Sequence, residues 1–314
     1  MVNDSGEFMT QMTQKNTNIL KVWFQAVRPF AFTASLIPVL VGAALAFNFP
    51  SGVAWHLFPL VIICSLLFHA GTNTVNDYCD FLNGVDKDYI HGSSGLLVNN
   101  VLEPKQVLIA SIIMFLIACL LGVVLIVVRG LPILILGLVG LAGGIFYTAK
   151  PIAYKYIALG DVLVFILMGP LMVVGSFFVL TGTCNNDVVL ASLPVGFLVA
   201  AILFANNLRD IRHDADAGMK TLAIILGHNK ARYIYCAILA AAYALVIVML
   251  AMGFTAWLLL VFISVPLALN NVKMAHSSSS ENNKTIATLD VKTAKLHLLF
   301  GLLYTAAIVI GKIP

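Results

Sequence analysis

The stretch "LFPLVIICSLLFHAGTNTVNDYCDFLNGVD", Leu57–Asp86, changes character half way along. Its first half is an apolar run. From Asn73 to Asp86 it carries three aspartates and three asparagines. An uncharged apolar run of this length reads as a membrane helix, because about 20 residues at 1.5 Å per residue cover roughly 30 Å of hydrocarbon. The acids then crowd the mouth of that helix.

The rest of the chain follows the same logic. It is 61% hydrophobic and 10% charged, with mean hydropathy +0.99, which excludes an ordinary soluble composition. Nine apolar runs recur, at 30–48, 54–74, 106–128, 131–147, 160–180, 188–208, 231–252, 254–271 and 295–312. They predict an all-α polytopic membrane protein with nine transmembrane helices, organised as a polar tail over 1–25 and one transmembrane domain over 26–314. The first 20 residues lack a signal-peptide pattern, so the N-terminus is expected to be retained. The five cysteines (64, 79, 119, 184, 236) match neither zinc nor disulfide spacing and read as small apolar fillers.

With the N-terminus on the cytoplasmic side, 16 of the 18 basic residues fall on that side, leaving Arg129 and Lys312 outside. The positive-inside rule asks for this bias. It predicts a multi-pass protein of the cell (inner) membrane, N-terminus in and C-terminus out. The net charge of +4 follows from topology and implies no nucleic-acid partner. The sequence names no protein partner.

Orientation does not require the acids to be sided, yet all but Asp187 fall on the cytoplasmic side. Asp77, Asp80, Asp86, Asp88 and Glu103 follow the second run. Asp210, Asp214 and Asp216 follow the sixth, in "FANNLRDIRHDADAGMKTLAIILG", 204–227. Asn76 and Asp80 are four apart, as are Asp210 and Asp214, so a helix continued by one turn stacks each pair on one face. Paired carboxylates repel, more so near a membrane, and a divalent cation relieves the repulsion. A donor set of oxygens alone suits Mg²⁺, which completes its shell with substrate phosphates. Arg209, Arg212 and Lys220 interleave with the second set, and Lys150 and Lys155 lie in "YTAKPIAYKY", 147–156. Such bases suit a metal-chelated anion such as diphosphate. The bland alternative is two loops of solvated ion pairs. The recurrence four helices apart also suggests two four-helix halves with a ninth helix added.

"NDYCDFLNGVD" together with "RDIRHDADAGMKTLAIILG" resembles the UbiA superfamily of intramembrane prenyltransferases. That family carries Asn-Asp-x-x-Asp after its second helix and Asp-x-x-x-Asp, followed by Gly-x-Lys-Thr/Ser, after its sixth. "AVRPFAFTASLIPVLVGAALAF" resembles its opening helix. "YTAKPIAYKYIALGDVLVFILMGPLMVVGSFFVLTG" is similar to the 1,4-dihydroxy-2-naphthoate branch, which serves menaquinone synthesis. The resemblance implies helices around a central cavity and Mg²⁺-dependent transfer of a polyprenyl group from its diphosphate to an aromatic acceptor. Asn76, Asp77, Asp80, Asp210 and Asp214 would then serve the metal, and Arg28, Tyr147, Lys150 and Lys220 the diphosphate. Gly84 stands where many members have a third aspartate, the next acid here being Asp86. Tyr147 and Lys150 are three apart where many members have four, which leaves Lys155 as a substitute. Within the family, 4-hydroxybenzoate, haem and geranylgeranylglyceryl phosphate remain open as acceptors. Outside it, a secondary transporter would place its ionisable groups near the midplane.

Other residues keep two readings. His69 is expected to be a hydrogen-bonded buried histidine, against an acceptor contact, and His91 a loop residue. Asp161 divides between capping a helix and touching substrate. Gly137, Gly140, Gly143 and Gly144 are expected to allow close helix packing. The segment "HSSSSENNK", 276–284, reads as a flexible loop.

Overall fold

A computed structural model describes residues 18–50, 52–86, 92–279 and 283–311. Most of the N-terminal tail, Lys15, Lys87, Asp88, His91, Lys312 and the centre of the 276–284 loop lie outside the described residues. The described chain is helical: α1 Ile19–Ala26, α2 Thr33–Phe47, α3 Phe58–Leu82, α4 Pro104–Arg129, α5 Leu131–Ile145, α6 Gly160–Ile166, α7 Met172–Thr181, α8 Asn186–Arg209, α9 Ile211–Asp216, α10 Leu222–Leu226, α11 His228–Ala251, α12 Val265–Ser277 and α13 Leu289–Gly311.

Among the described residues, eight helical segments are long and apolar enough to span a bilayer. The expected span at 131–147 is the exception. It forms α5, whose 15 residues reach only about 22 Å. Gly130, at φ 74°, separates it from α4 by a single residue, and Pro132 sits at its first turn, where a missing N–H costs nothing. At its other end Gly144 lies against Thr72, two turns short of Asp80 on α3. The short helix nevertheless returns the chain to the acidic end. Arg129, just before it, donates to the carbonyls of Val179 and Leu180 at the far end of α7 (2.6 and 2.9 Å), while Lys155, beyond it, meets Asp80. The distance α5 leaves uncovered is taken up by irregular chain lining a cavity and shielded by neighbouring helices, a setting in which such backbone is tolerated.

The best-buried span is α8, which packs against α6, α11 and α13. Leu198, Phe204, Tyr235, Phe300 and Tyr304 are almost wholly buried there and join α2 and α7 in one core. Where α8 crosses the broken α6–α7 span, Gly169 meets the backbone of Gly196 so closely that a Cβ on Gly169 would collide with it. By contrast α4 turns Leu116, Leu120 and Val127 outward, as a lipid-facing helix does. One acidic motif lies at the end of α3 and the other just beyond the end of α8, so the two clusters meet at one end of the bundle. All five cysteines are free.

Candidate active site

The helix α3 continues past its apolar run to Leu82, which carries Asn76 and Asp80 on one face; both are buried. The side chain of Asp77 points about 100° away. It pairs with Arg28 and accepts a hydrogen bond from the Ser94 amide at 3.1 Å, so it ties the entry of α2 and the 92–95 loop to α3. Arg28 occupies the left-handed region at φ 54°, and its buried Nε has no hydrogen-bond partner among the described residues. Burial lowers its pKa against the opposing pull of Asp86 and Asp80.

The cation on Asn76 and Asp80 is Lys155. Its Nζ donates to Asp80 Oδ2 at 2.6 Å and to Asn76 Oδ1 at 3.1 Å, and the Tyr156 hydroxyl donates to Asp80 Oδ1 at 2.6 Å. Burial works against the charge on Lys155, but Asp80 and Tyr156 outweigh it and raise its pKa. The chain delivers Lys155 by doubling back after α5. Tyr154 N–H and Lys155 N–H donate to the carbonyls of Phe146 and Tyr147, Ala153 takes the left-handed turn at φ 47°, and the Tyr154 hydroxyl anchors on the Gly143 carbonyl. That reversal leaves Lys150 exposed, away from the cavity. Lys220 is also exposed; it contributes its amide, which donates to the Tyr156 carbonyl at 3.1 Å and pins the Lys155 loop to the segment after the second motif. Tyr147 lines the cavity, and burial, then Asp80 and Asp161, push its hydroxyl upward, so it stays a neutral donor.

At the second motif α8 stops at Arg209, and Asp210 forms the corner before α9, its carbonyl accepting from Asp214 N–H at 2.8 Å. The pair therefore keeps its four-residue spacing across a bend rather than along one straight helix. Arg209 forks onto both oxygens of Asp210, from Nε at 2.8 Å and Nη2 at 2.6 Å. Asn207 donates to Asp161 at 3.1 Å, placing Asp161 in the polar network beyond a plain cap. Asp214 is buried, and burial, with Asp210 and Asp80 adding and Lys155 opposing, pushes its pKa up to about 7. Asp80 and Lys155 both act on its charge, and the Lys220–Tyr156 backbone bond holds the lysine loop of the first motif beside the segment after the second.

Some of these groups reach a cavity of about 600 Å³, with the aspartates of both motifs set behind its lining. Arg28, Asn76, Lys155, Asn206 and Asp290 line its polar end. Along α3 the lining runs from Asn76 up to Val61, about 22 Å, through Phe68, Leu134, Leu171 and Val179. His69 carries the expected hydrogen bond, to Ser35 Oγ at 2.6 Å, but it is only partly buried and lines the cavity, so the acceptor contact stays open. The glycines divide. A Cβ on Gly143 would strike Leu167, so that glycine packs, whereas Gly137 and Gly122 face the cavity with nothing within 4 Å. Asp290, at the start of α13, was not foreseen: a lone acid at the head of a membrane helix reads as a cap.

Six aspartates (77, 80, 161, 210, 214 and 290) are buried here with one fully buried arginine, Arg209, and the partly buried Arg28 and Lys155. That surplus of negative charge calls for added cations. Among the described residues no three His, Cys, Asp or Glu side chains converge as a closed metal cage. An ion held by few carboxylates and completed by water or phosphate oxygens, as Mg²⁺ is, fits such a split donor set.

The sequence profile of the UbiA prenyltransferase family matches residues 35–309. The chain is 34% identical over 311 residues to the 1,4-dihydroxy-2-naphthoate octaprenyltransferase of Bacillus subtilis, covering 99% of each chain. It is 33% identical over 293 residues to the UbiA prenyltransferase domain-containing protein 1 homolog of Drosophila melanogaster, covering 92% of this chain and 79% of that one. Its fold matches a UbiA homolog from Archaeoglobus fulgidus bound to DMAPP and Mg²⁺, with TM-score 0.57 and 17% identity over 92% of this chain and 99% of that one.

Proposed function

The chain belongs to the UbiA prenyltransferase family, and from that premise we propose that it transfers a polyprenyl group from its diphosphate to 1,4-dihydroxy-2-naphthoate, with Mg²⁺ as the metal. The observation that carries the reading is Lys155, held between Asn76 and Asp80 while lining the polar end of an apolar cavity. The Bacillus relative, similar end to end, supports the acceptor, and the Archaeoglobus complex supports the ion.

Asn76, Asp80, Asp210 and Asp214 would hold Mg²⁺, which when bound supplies Lewis-acid neutralisation of the diphosphate. Lys155, Arg28 and the Tyr147 hydroxyl would bind and orient its oxygens, so that positive charge already stands where negative charge grows as the allylic C–O bond breaks. The apolar lining would take the tail and exclude water from the allylic cation until the electron-rich ring captures it. Loss of a proton or of CO₂ then restores aromaticity. The acidic mouth would face the cytoplasm, in keeping with the basic-residue bias.

The test is product analysis by mass spectrometry, with membranes containing the chain offered several acceptors and prenyl diphosphates of increasing length. Prenylated naphthoate as the main product is expected; prenylation of 4-hydroxybenzoate alone would replace the acceptor. The same assay checks the tail path. Gly137→Leu enters open space on a helix, where leucine is favoured over glycine, so the protein should fold. It should handle the shortest donor normally and lose about 10-fold or more in kcat/KM for long donors, the scale on which a filled apolar pocket discriminates. Equal losses for all donors would remove Gly137 from the tail path.

A further inference from the structure

Arg209 is the most heavily engaged cation in the site, and one of its partners lies outside both acidic motifs. Besides forking onto Asp210, it donates from Nη1 to Asp290 Oδ2 at 2.7 Å, and Asn206 Oδ1 accepts from Nη2. Asp290 is in the first turn of α13, where the helix N-terminus favours a carboxylate. It is 8% exposed, lines the cavity, and its Oδ1 is buried without a hydrogen-bond partner among the described residues. A buried carboxylate with one oxygen spent on arginine and the other spare is costly unless a second state uses it.

Asp210 has the converse difficulty. With an Arg209 N–H on each oxygen, Asp210 keeps only its outer lone pairs for a cation, and its charge is already matched by the guanidinium. The spare oxygen of Asp290 offers the guanidinium a second bidentate seat, reached by pivoting about the Nη1 contact already made. Arginine suits such a move because its planar fork matches either carboxylate.

We infer that Asp290 is a positioning residue: it receives the Arg209 guanidinium and so releases Asp210 to a divalent cation. This rests on the metal–diphosphate reading and goes beyond it, bringing the last helix into the site. Without Asp290, the guanidinium has no second carboxylate to turn to and stays on Asp210, so the cation must compete against a buried ion pair.

The experiment measures Mn²⁺ affinity by electron paramagnetic resonance on the full-length chain in detergent, with no substrate present. Asp290→Asn should weaken Mn²⁺ binding by about 10-fold or more, the usual cost of losing a group that orients a ligand. Asp290→Glu should stay near wild type. Adding Arg209→Gln to Asp290→Asn should restore affinity, because the competitor is gone. Unchanged binding in Asp290→Asn, or no recovery in the double variant, would overturn the proposal. Should Asp290→Asn not fold, Arg209→Gln is compared with the double variant, which leaves no buried charge of this pair unmatched. The two should bind Mn²⁺ alike; a 10-fold difference would make Asp290 a ligand itself and equally defeat the inference. If wild type binds no Mn²⁺, it is the metal–diphosphate reading that fails instead.

Discussion

Asp80→Asn and Asp214→Asn should each lower turnover by about 10²–10³, some 3–4 kcal/mol, by analogy with removing one preorganised charge-stabilising group. Both side chains are buried, Asp80 bonds the cavity-lining Lys155, and Asp80 acts on the charge of Asp214. Asn keeps each side chain's size and an oxygen donor, so what is removed is charge. If the two motifs serve one cluster, the double variant should fall little below either single one, because groups acting as a unit are strongly non-additive. Asp187→Asn, in the first turn of α8 at the opposite end, should be nearly silent and reports on folding and insertion. Turnover measured in the same membranes at matched protein levels decides. Multiplicative losses would assign the loops to separate sites.

Lys155→Met should be comparably damaging, about 10² or more in kcat/KM, and Lys150→Met should be nearly silent. Lys155 is the lysine placed between Asn76 and Asp80, and its charge is sustained against burial by that carboxylate. Lys150 is exposed and does not line the cavity. Lys155→Arg should recover only part of the loss, since a planar fork cannot occupy the compact seat of an ammonium. Steady-state kinetics on the three variants, with prenyl diphosphate varied, would read this out. A silent Lys155→Met paired with a damaging Lys150→Met would show that the loop rearranges around the donor.

The contrast between these two lysines shows what one-dimensional pattern can and cannot carry. Hydropathy and charge siding follow from the bilayer, so the long spans and the shared end of Asp80 and Asp214 were legible residue by residue. Which lysine follows Tyr147 into the site was not. It depends on Ala153 accepting a left-handed turn and on the Tyr154 hydroxyl finding the Gly143 carbonyl, neither of which has a spacing signature. The same holds for α5. Its residues are as apolar as any span, and only its packing against α3, with Gly144 beside Thr72, shows how far short it stops. Gly137 and Gly143 look alike in sequence, yet one borders open space and the other a leucine. Asp290 pairs with a residue 81 positions away, beyond any local pattern.

The claim at the centre of the account is that both acidic motifs and Lys155 form a single seat for a metal-chelated diphosphate. Calorimetric titration of an unreactive donor, a prenyl thiolodiphosphate, into the purified chain with and without Mg²⁺ tests it most directly, because no acceptor and no chemistry intervene. The account predicts one site per chain, binding that requires Mg²⁺, and loss of that binding in both Asp80→Asn and Asp214→Asn. Full-affinity binding after exhaustive chelation, or in either variant, would contradict it.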